Sequence, residues 1–194
     1  MDGRQGTAWR QRPVTLMARL TADNSALVLI DFQARLIPAI LDGEAVAARA
    51  QKLLSGAGIL EVPVTFTEQL PDKLGSTLDA LKPRPVDKLI VKSTFNACQS
   101  QAFLSALPGD RTLVVAGCEA HVCVLQTVLG LLDAGRKVAL VEDAVGSRFA
   151  SDRSAALSRM KAHGADIVTS EMVLFEWLGD ADNLRFREVL ALIK

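Results

Sequence analysis

The 194-residue chain carries 22 basic and 22 acidic residues, a formal net charge of zero, with 49% hydrophobic residues. A chain of this length buries roughly 70% of its unfolded surface, enough for one globular core, and its neutrality offers no field to gather nucleic acid or an anionic membrane. Two histidines, His121 and His163, exclude a multi-histidine metal centre within one chain, the absence of tyrosine removes phenolic acid catalysis, and an odd set of three cysteines, Cys98, Cys118 and Cys123, fits reduced cytoplasmic thiols better than a disulfide framework.

The opening MDGRQGTAWRQRPVTL holds three Arg and one Asp, with no apolar stretch of signal-peptide length. Residues 1–22 are therefore expected to be an extension, poorly ordered at its start, ahead of one domain over residues 23–194. Met17 offers a second start, and a short transit peptide stays open. No window reaches the ~18 to 20 uninterrupted apolar residues that a membrane span needs, so a soluble protein is expected.

From Ser25 onward, apolar runs alternate with helical patterns. ALVLIDF (26–32) reads as a first buried strand. EAVAARAQKLLSGAG (44–58) reads as a helix closing at Gly56 and Gly58. VPVTFTEQ (62–69) is a second strand, and residues 70–85, with three prolines, read as a loop holding at most a short helix. KLIVKS (88–93) is the third strand, with a helix following near 100–107. RTLVVAG (111–117) is the fourth strand, AHVCVLQTVLGLLDAG (120–135) an apolar helix, and KVALVED (137–143) the fifth strand. A helix over 151–165 with Ser151 as its N-cap, a short strand ADIVTS and two helices near 171–178 and 182–193 complete the chain. Continuous apolar strands separated by helices predict a parallel α/β sheet covered on both faces.

In such a sheet, ligands bind beyond the carboxyl ends of the strands. Three polar residues fall there. Asp31 ends the first strand and could cap a turn or serve as a base. Lys92 ends the third and could be a solvated strand end or a functional cation. Cys123 falls in the first turn of the helix after the fourth strand, where the helix dipole and free N–H groups favour a thiolate; a buried structural thiol is the alternative. Together the three supply what a cysteine nucleophile needs: a proton acceptor, a cation beside the sulfur, and donors for an oxyanion from the Gly117-Cys118-Glu119 loop. His121 is a rival base, but two residues from Cys123 on a helix it points to another face. Cys118-x-x-His121-x-Cys123 is a poor metal site, because the side chains diverge and no fourth ligand is evident. A nucleotide site lacks its glycine-rich loop, since FQARLIPAI contains no glycine.

LVLIDFQ (27–33), VKSTFNAC (91–98), VVAGCEAHVCVLQTVLGLLDAGRKVALVEDAVGSR (114–148) and TSEMVLFEWL (169–178) resemble the isochorismatase-like cysteine hydrolase superfamily, in particular its small single-domain members of unknown substrate. The resemblance implies a three-layer α/β/α fold with a six-stranded parallel sheet in the order 3-2-1-4-5-6. It also implies a Cys123 nucleophile, an Asp31 general base, a stabilising Lys92, and a cis peptide between Cys118 and Glu119 that builds an oxyanion hole with Cys123. Phe32, Gln33, Phe95 and Glu119 are the expected pocket residues. Nicotinamidases of the superfamily bind a metal through residues after strand two, where this chain has Thr67-Glu68-Gln69, so no metal or cofactor is expected. The expected activity is hydrolysis of a small amide or related acyl compound through a cysteine thioester. Vinyl-ether hydrolysis by Asp31 acid catalysis, and a catalytically silent binding protein on the same fold, are the alternatives. The apolar segments 120–135 and VLFEWL lead to the expectation of a homo-oligomer, with no nucleic-acid or membrane partner.

Overall fold

A computed structural model describes residues 19–194. The first sixteen residues and Met17 lie outside the described residues. Leu20 is already buried in the core and its N–H donates to the Glu176 carboxylate at 2.7 Å, so packing begins ahead of residue 23, where the domain was expected to start.

Six strands form one sheet: β1 (Ser25–Ile30), β2 (Val64–Gln69), β3 (Lys88–Lys92), β4 (Thr112–Cys118), β5 (Val138–Gly146) and β6 (Asp166–Val168). They lie in the order β3-β2-β1-β4-β5-β6, every neighbouring pair parallel. Among the described residues the α-helices are α1 (Gly43–Ile59), α2 (Pro71–Leu74), α3 (Gln101–Ala106), α4 (Leu125–Asp133), α5 (Ala150–Ala162), α6 (Ser170–Leu178) and α7 (Phe186–Ile193).

The continuous apolar strands follow from coverage on both faces. Successive side chains of a strand point to opposite sides. Leu27, Leu29, Val114, Ala116, Ala139 and Val141 accordingly join one core with residues of α1, α6 and α7. Ala26, Val28, Ile30, Val115, Val138 and Leu140 join a second with residues of α3, α4 and α5. The pattern loosens at the two edges of the sheet, where Leu89 and Val91 of β3 and Asp166 of β6 are exposed.

The structure corrects several local expectations. α1 runs through Gly56 and Gly58 and ends at Ile59, because Gly56 lets the Leu174 side chain of α6 approach the helix backbone. Ser151 lies inside α5, whose N-cap position is Phe149, without a side-chain cap. The apolar VLFEWL segment needs no partner chain to cover most of it, since Val173, Leu174, Trp177 and Leu178 are buried within the protein. No helix of the described residues is long and apolar enough to cross a membrane.

Candidate active site

β1 and β4 are adjacent, and their connections leave the sheet to opposite faces, so their carboxyl ends form the crevice where ligands bind in open α/β sheets. Asp31 is the first residue beyond β1 and is fully buried, with a left-handed backbone (φ 54°). Such conformations are uncommon for non-glycine residues, are most accessible to Asp and Asn, and cluster at functional sites. The Asp31 backbone N–H still donates to Thr67 O of β2 at 3.1 Å, so the inter-strand hydrogen bonding reaches Asp31 before the chain turns away. Its Oδ1 accepts from Thr67 Oγ1 at 2.6 Å and its Oδ2 from Lys92 Nζ at 2.8 Å.

Lys92 reaches this position from β3, two strands away. The register pairs Ile30 with Thr67 and Gln69 with Lys92. Ile30 and Ile90 both pack into the core beneath α3 and α4. Thr67 pairs with both, so by two-residue periodicity Thr67, Gln69 and Lys92 share that face of the sheet. The Lys92 side chain runs across the end of β2, 5% exposed, and donates to Gln69 Oε1 at 2.8 Å on the way. A buried ammonium paired with a buried carboxylate is costly to assemble and costlier to break, and further hydrogen bonds to both ions offset the desolvation.

Cys123 lies on the same side of the sheet. Here the expected single helix over 120–135 is divided: Ala120–Val124 form one π-helical turn, and only Leu125 onward is α-helical. Single π turns recur at functional sites. The Cys123 thiol interacts with both Asp31 and Lys92, but the expectation of a lowered thiol pKa does not hold. Burial pushes the thiol up to about 12, the Asp31 carboxylate adds to the rise, and the Lys92 ammonium opposes it. A shift in this direction favours the neutral thiol.

The peptide between Cys118 and Glu119 is cis. Glu119 Oε2 accepts from Arg148 N at 3.2 Å and Arg148 Nε at 3.0 Å. His121 turns away toward Ser147 and Asp152, its Nδ1 being 3.0 Å from Ser147 Oγ and its Nε2 3.7 Å from Asp152 Oδ2. Cys118 is buried, and burial holds its thiol near 12. Cys98 is half-buried with its Sγ 3.6 Å from Thr127 O, and burial raises its thiol to about 11.

Two of the four expected pocket residues have other roles. Phe32 is buried in the core beneath α1. The Gln33 side chain is also buried, accepting from Gln69 N at 2.7 Å and donating to Gln69 O at 3.1 Å and Gly75 O at 2.6 Å. β1 has turned away at this level, so the Gln33 amide takes the place of the missing strand partner. Phe95 is exposed, and the Glu119 side chain is mostly buried beside Arg148. Thr67 and Gln69, which hold Asp31 and Lys92, were read in the sequence only as the replacement of metal ligands; their signal is a polar end on a strand that must lie between those of Lys92 and Asp31. No three His, Cys, Asp or Glu side chains converge as a metal site among the described residues.

The chain is similar to known proteins over nearly its whole described length. The Isochorismatase domain family matches residues 25–172. Isochorismatase domain-containing protein 1 of Salmo salar is 36% identical over 93% of this chain, which spans 65% of that protein's length. The structure of MAR1 ribonuclease from Caenorhabditis elegans superposes with a TM-score of 0.84 at 35% identity, covering 91% of this chain and 92% of that one. YcaC from Pseudomonas aeruginosa, solved with hexane-2,5-diol and covalent acrylamide, gives a TM-score of 0.82 at 27% identity, covering 90% and 91%. Escherichia coli YcaC, described as an octameric hydrolase of unknown specificity, gives 0.82 at 26% identity, covering 91% and 88%. The family match begins at the first residue of β1 and runs past β6, so the sheet that brings Asp31, Lys92 and Cys123 together is the matched region itself, and the chain belongs to the isochorismatase domain family.

Proposed function

We propose that the protein hydrolyses a small amide or related acyl compound through a thioester on Cys123. The observation that carries this reading is the buried Asp31–Lys92 pair at 2.8 Å, with the Cys123 thiol interacting with both. Asp31 takes the proton from Cys123 Sγ as the sulfur attacks the carbonyl carbon. The oxyanion is met by the backbone N–H groups of Glu119 and Cys123, and Lys92 offsets negative charge on sulfur and carboxylate. The C–N bond then breaks, the amine leaving with the proton held on Asp31. Water, deprotonated by Asp31, cleaves the thioester to release the acid and regenerate the thiol. The reaction consumes one amide and one water and yields one acid and one amine, and no cofactor enters.

The covalent acrylamide in the Pseudomonas relative supports a reactive nucleophile in this fold, since acrylamide is captured by addition at its alkene carbon. The octameric description of the E. coli relative supports a homo-oligomer for this chain as well. The C. elegans relative is described as a ribonuclease. In this chain Lys92 is committed to Asp31 and Arg148 to Glu119, and the net charge is zero. An uncharged small substrate fits that balance better than a polyanion.

Incubation with a panel of small amides, acid quenching and peptide mass analysis tests the reading. An acyl group on Cys123, absent from Asp31→Asn, is the expected result. Turnover of any compound by Cys123→Ala at the wild-type rate overturns it in favour of acid catalysis by Asp31 alone.

A further inference from the structure

We infer that Gln69 is a positioning residue that aims the Lys92 ammonium at Cys123. The inference rests on the proposed role of the Asp31, Lys92 and Cys123 set and adds to it a residue that touches neither the carboxylate nor the sulfur.

A lysine ammonium has three donors and no acceptor. Here two are assigned by distance: Asp31 Oδ2 and Gln69 Oε1, both at 2.8 Å. With those two directions fixed, the third N–H has one orientation left, and the Cys123 thiol interacts with Lys92. Without Gln69 the Lys92 side chain could pivot about its hydrogen bond to Asp31, moving Cε and turning the third donor away from a fixed aim.

Gln69 is itself held at both ends. Its Nε2 donates to Ser93 O at 2.7 Å, which determines which end of the amide faces Lys92. Its backbone N–H and C=O are both engaged by the buried Gln33 side chain at 2.7 and 3.1 Å. The line of restraint therefore runs from Gln33 through Gln69 to Lys92, while Thr67 restrains the other oxygen of Asp31. A side-chain amide supplies a neutral acceptor here; a carboxylate in its place would compete with Asp31 for the ammonium and oppose charge on the sulfur.

The test compares iodoacetamide labelling of Cys123 and Cys98 within the same molecules across pH, in wild type, Gln69→Met and Lys92→Met. Methionine keeps the length of glutamine and removes the acceptor. Gln69→Met is expected to slow Cys123 labelling about tenfold relative to Cys98 and to move its pH profile upward, since one hydrogen bond to a charged group is lost. In the Lys92→Met background the Gln69 substitution should have no further effect, because nothing is left to aim. A purely structural Gln69 would lower the melting temperature and leave the ratio and the profile unchanged, which overturns the inference. If Lys92→Met also leaves them unchanged, the role proposed for Lys92 fails first. A second variant keeps the test independent of the first one's folding: Gln69→Glu is expected to slow Cys123 labelling relative to Cys98, and an unchanged ratio overturns the inference equally.

Discussion

Replacing Lys92 by Met keeps most of the side chain's volume and removes its ammonium, leaving the fully buried Asp31 carboxylate without its ion partner. Removing one member of a buried ion pair costs about 3–5 kcal/mol. Thr67 still donates to Oδ1 at 2.6 Å, so one of the two carboxylate oxygens stays satisfied, and the lower end, about 3 kcal/mol, is expected. Asp31→Asn makes the reciprocal change: Lys92 keeps Gln69 Oε1 but loses its counter-charge. The double variant buries two neutral groups of nearly native shape, so its cost should fall short of the sum of the single costs by about 2 kcal/mol or more, the coupling expected of groups in direct contact. Urea unfolding at pH 7, with m-values checked for constancy, measures all three. Additive costs, or a Lys92→Met cost below about 1 kcal/mol, would refute the reasoning, since a buried uncompensated carboxylate cannot be that cheap.

Thr67→Val removes the donor to Asp31 Oδ1 at near-constant volume and should destabilise by about 1–3 kcal/mol, read by the same unfolding curves. Gly117→Ala should lower stability by about 1–3 kcal/mol and slow Cys123 labelling, because a new Cβ would lie 2.5 Å from Ile30 O and 2.6 Å from Ile30 Cβ, and β1 must shift just before Asp31 to accommodate it. The buried thiols Cys118 and Cys123 have pKa values raised to about 12 in the folded chain. Below the ordinary thiol value both states are protonated and the stability this brings is fully present. Above it the unfolded chain ionises first, so stability should fall with rising pH between about 9 and 12, by up to about 1.4 kcal/mol per pH unit per thiol. Cys118→Ala should flatten that alkaline slope, and an unchanged slope would contradict the assignment.

Most of the sheet could be read from periodicity, because runs such as LVLI and LVVA are apolar on both faces only where helices cover both. Boundaries shifted where side-chain contacts decide them. α1 continues through two glycines since Gly56 admits Leu174, and the π turn at Ala120–Val124 leaves no mark in a pattern that reads as unbroken helix. The sequence indicated which residues meet at the site but not how. Lys92 can reach Asp31 only because the register sets Gln69 opposite Lys92 and Thr67 opposite Ile30, and register between parallel strands joined by long crossovers is not written in either strand alone. The thiol departs from its sequence expectation for a related reason: a helix start favours a thiolate only if it is wet, and this one is buried beside a carboxylate. Gln33 looked like a pocket residue because it follows the strand end; it instead completes the hydrogen bonding of β2 where β1 departs.

The competition between Cys123 and Cys98 for a small alkylating amide tests the central claim most directly. By burial and acidity alone Cys98 should react first, being half-buried with its thiol at about 11, against about 12 for the 6% exposed Cys123. If Asp31 accepts the thiol proton during attack, that order reverses: iodoacetamide at neutral pH, followed by peptide mapping, should modify Cys123 well before Cys98, and Asp31→Asn should restore Cys98 as the faster site. Faster labelling of Cys98 in the wild-type protein would contradict the account.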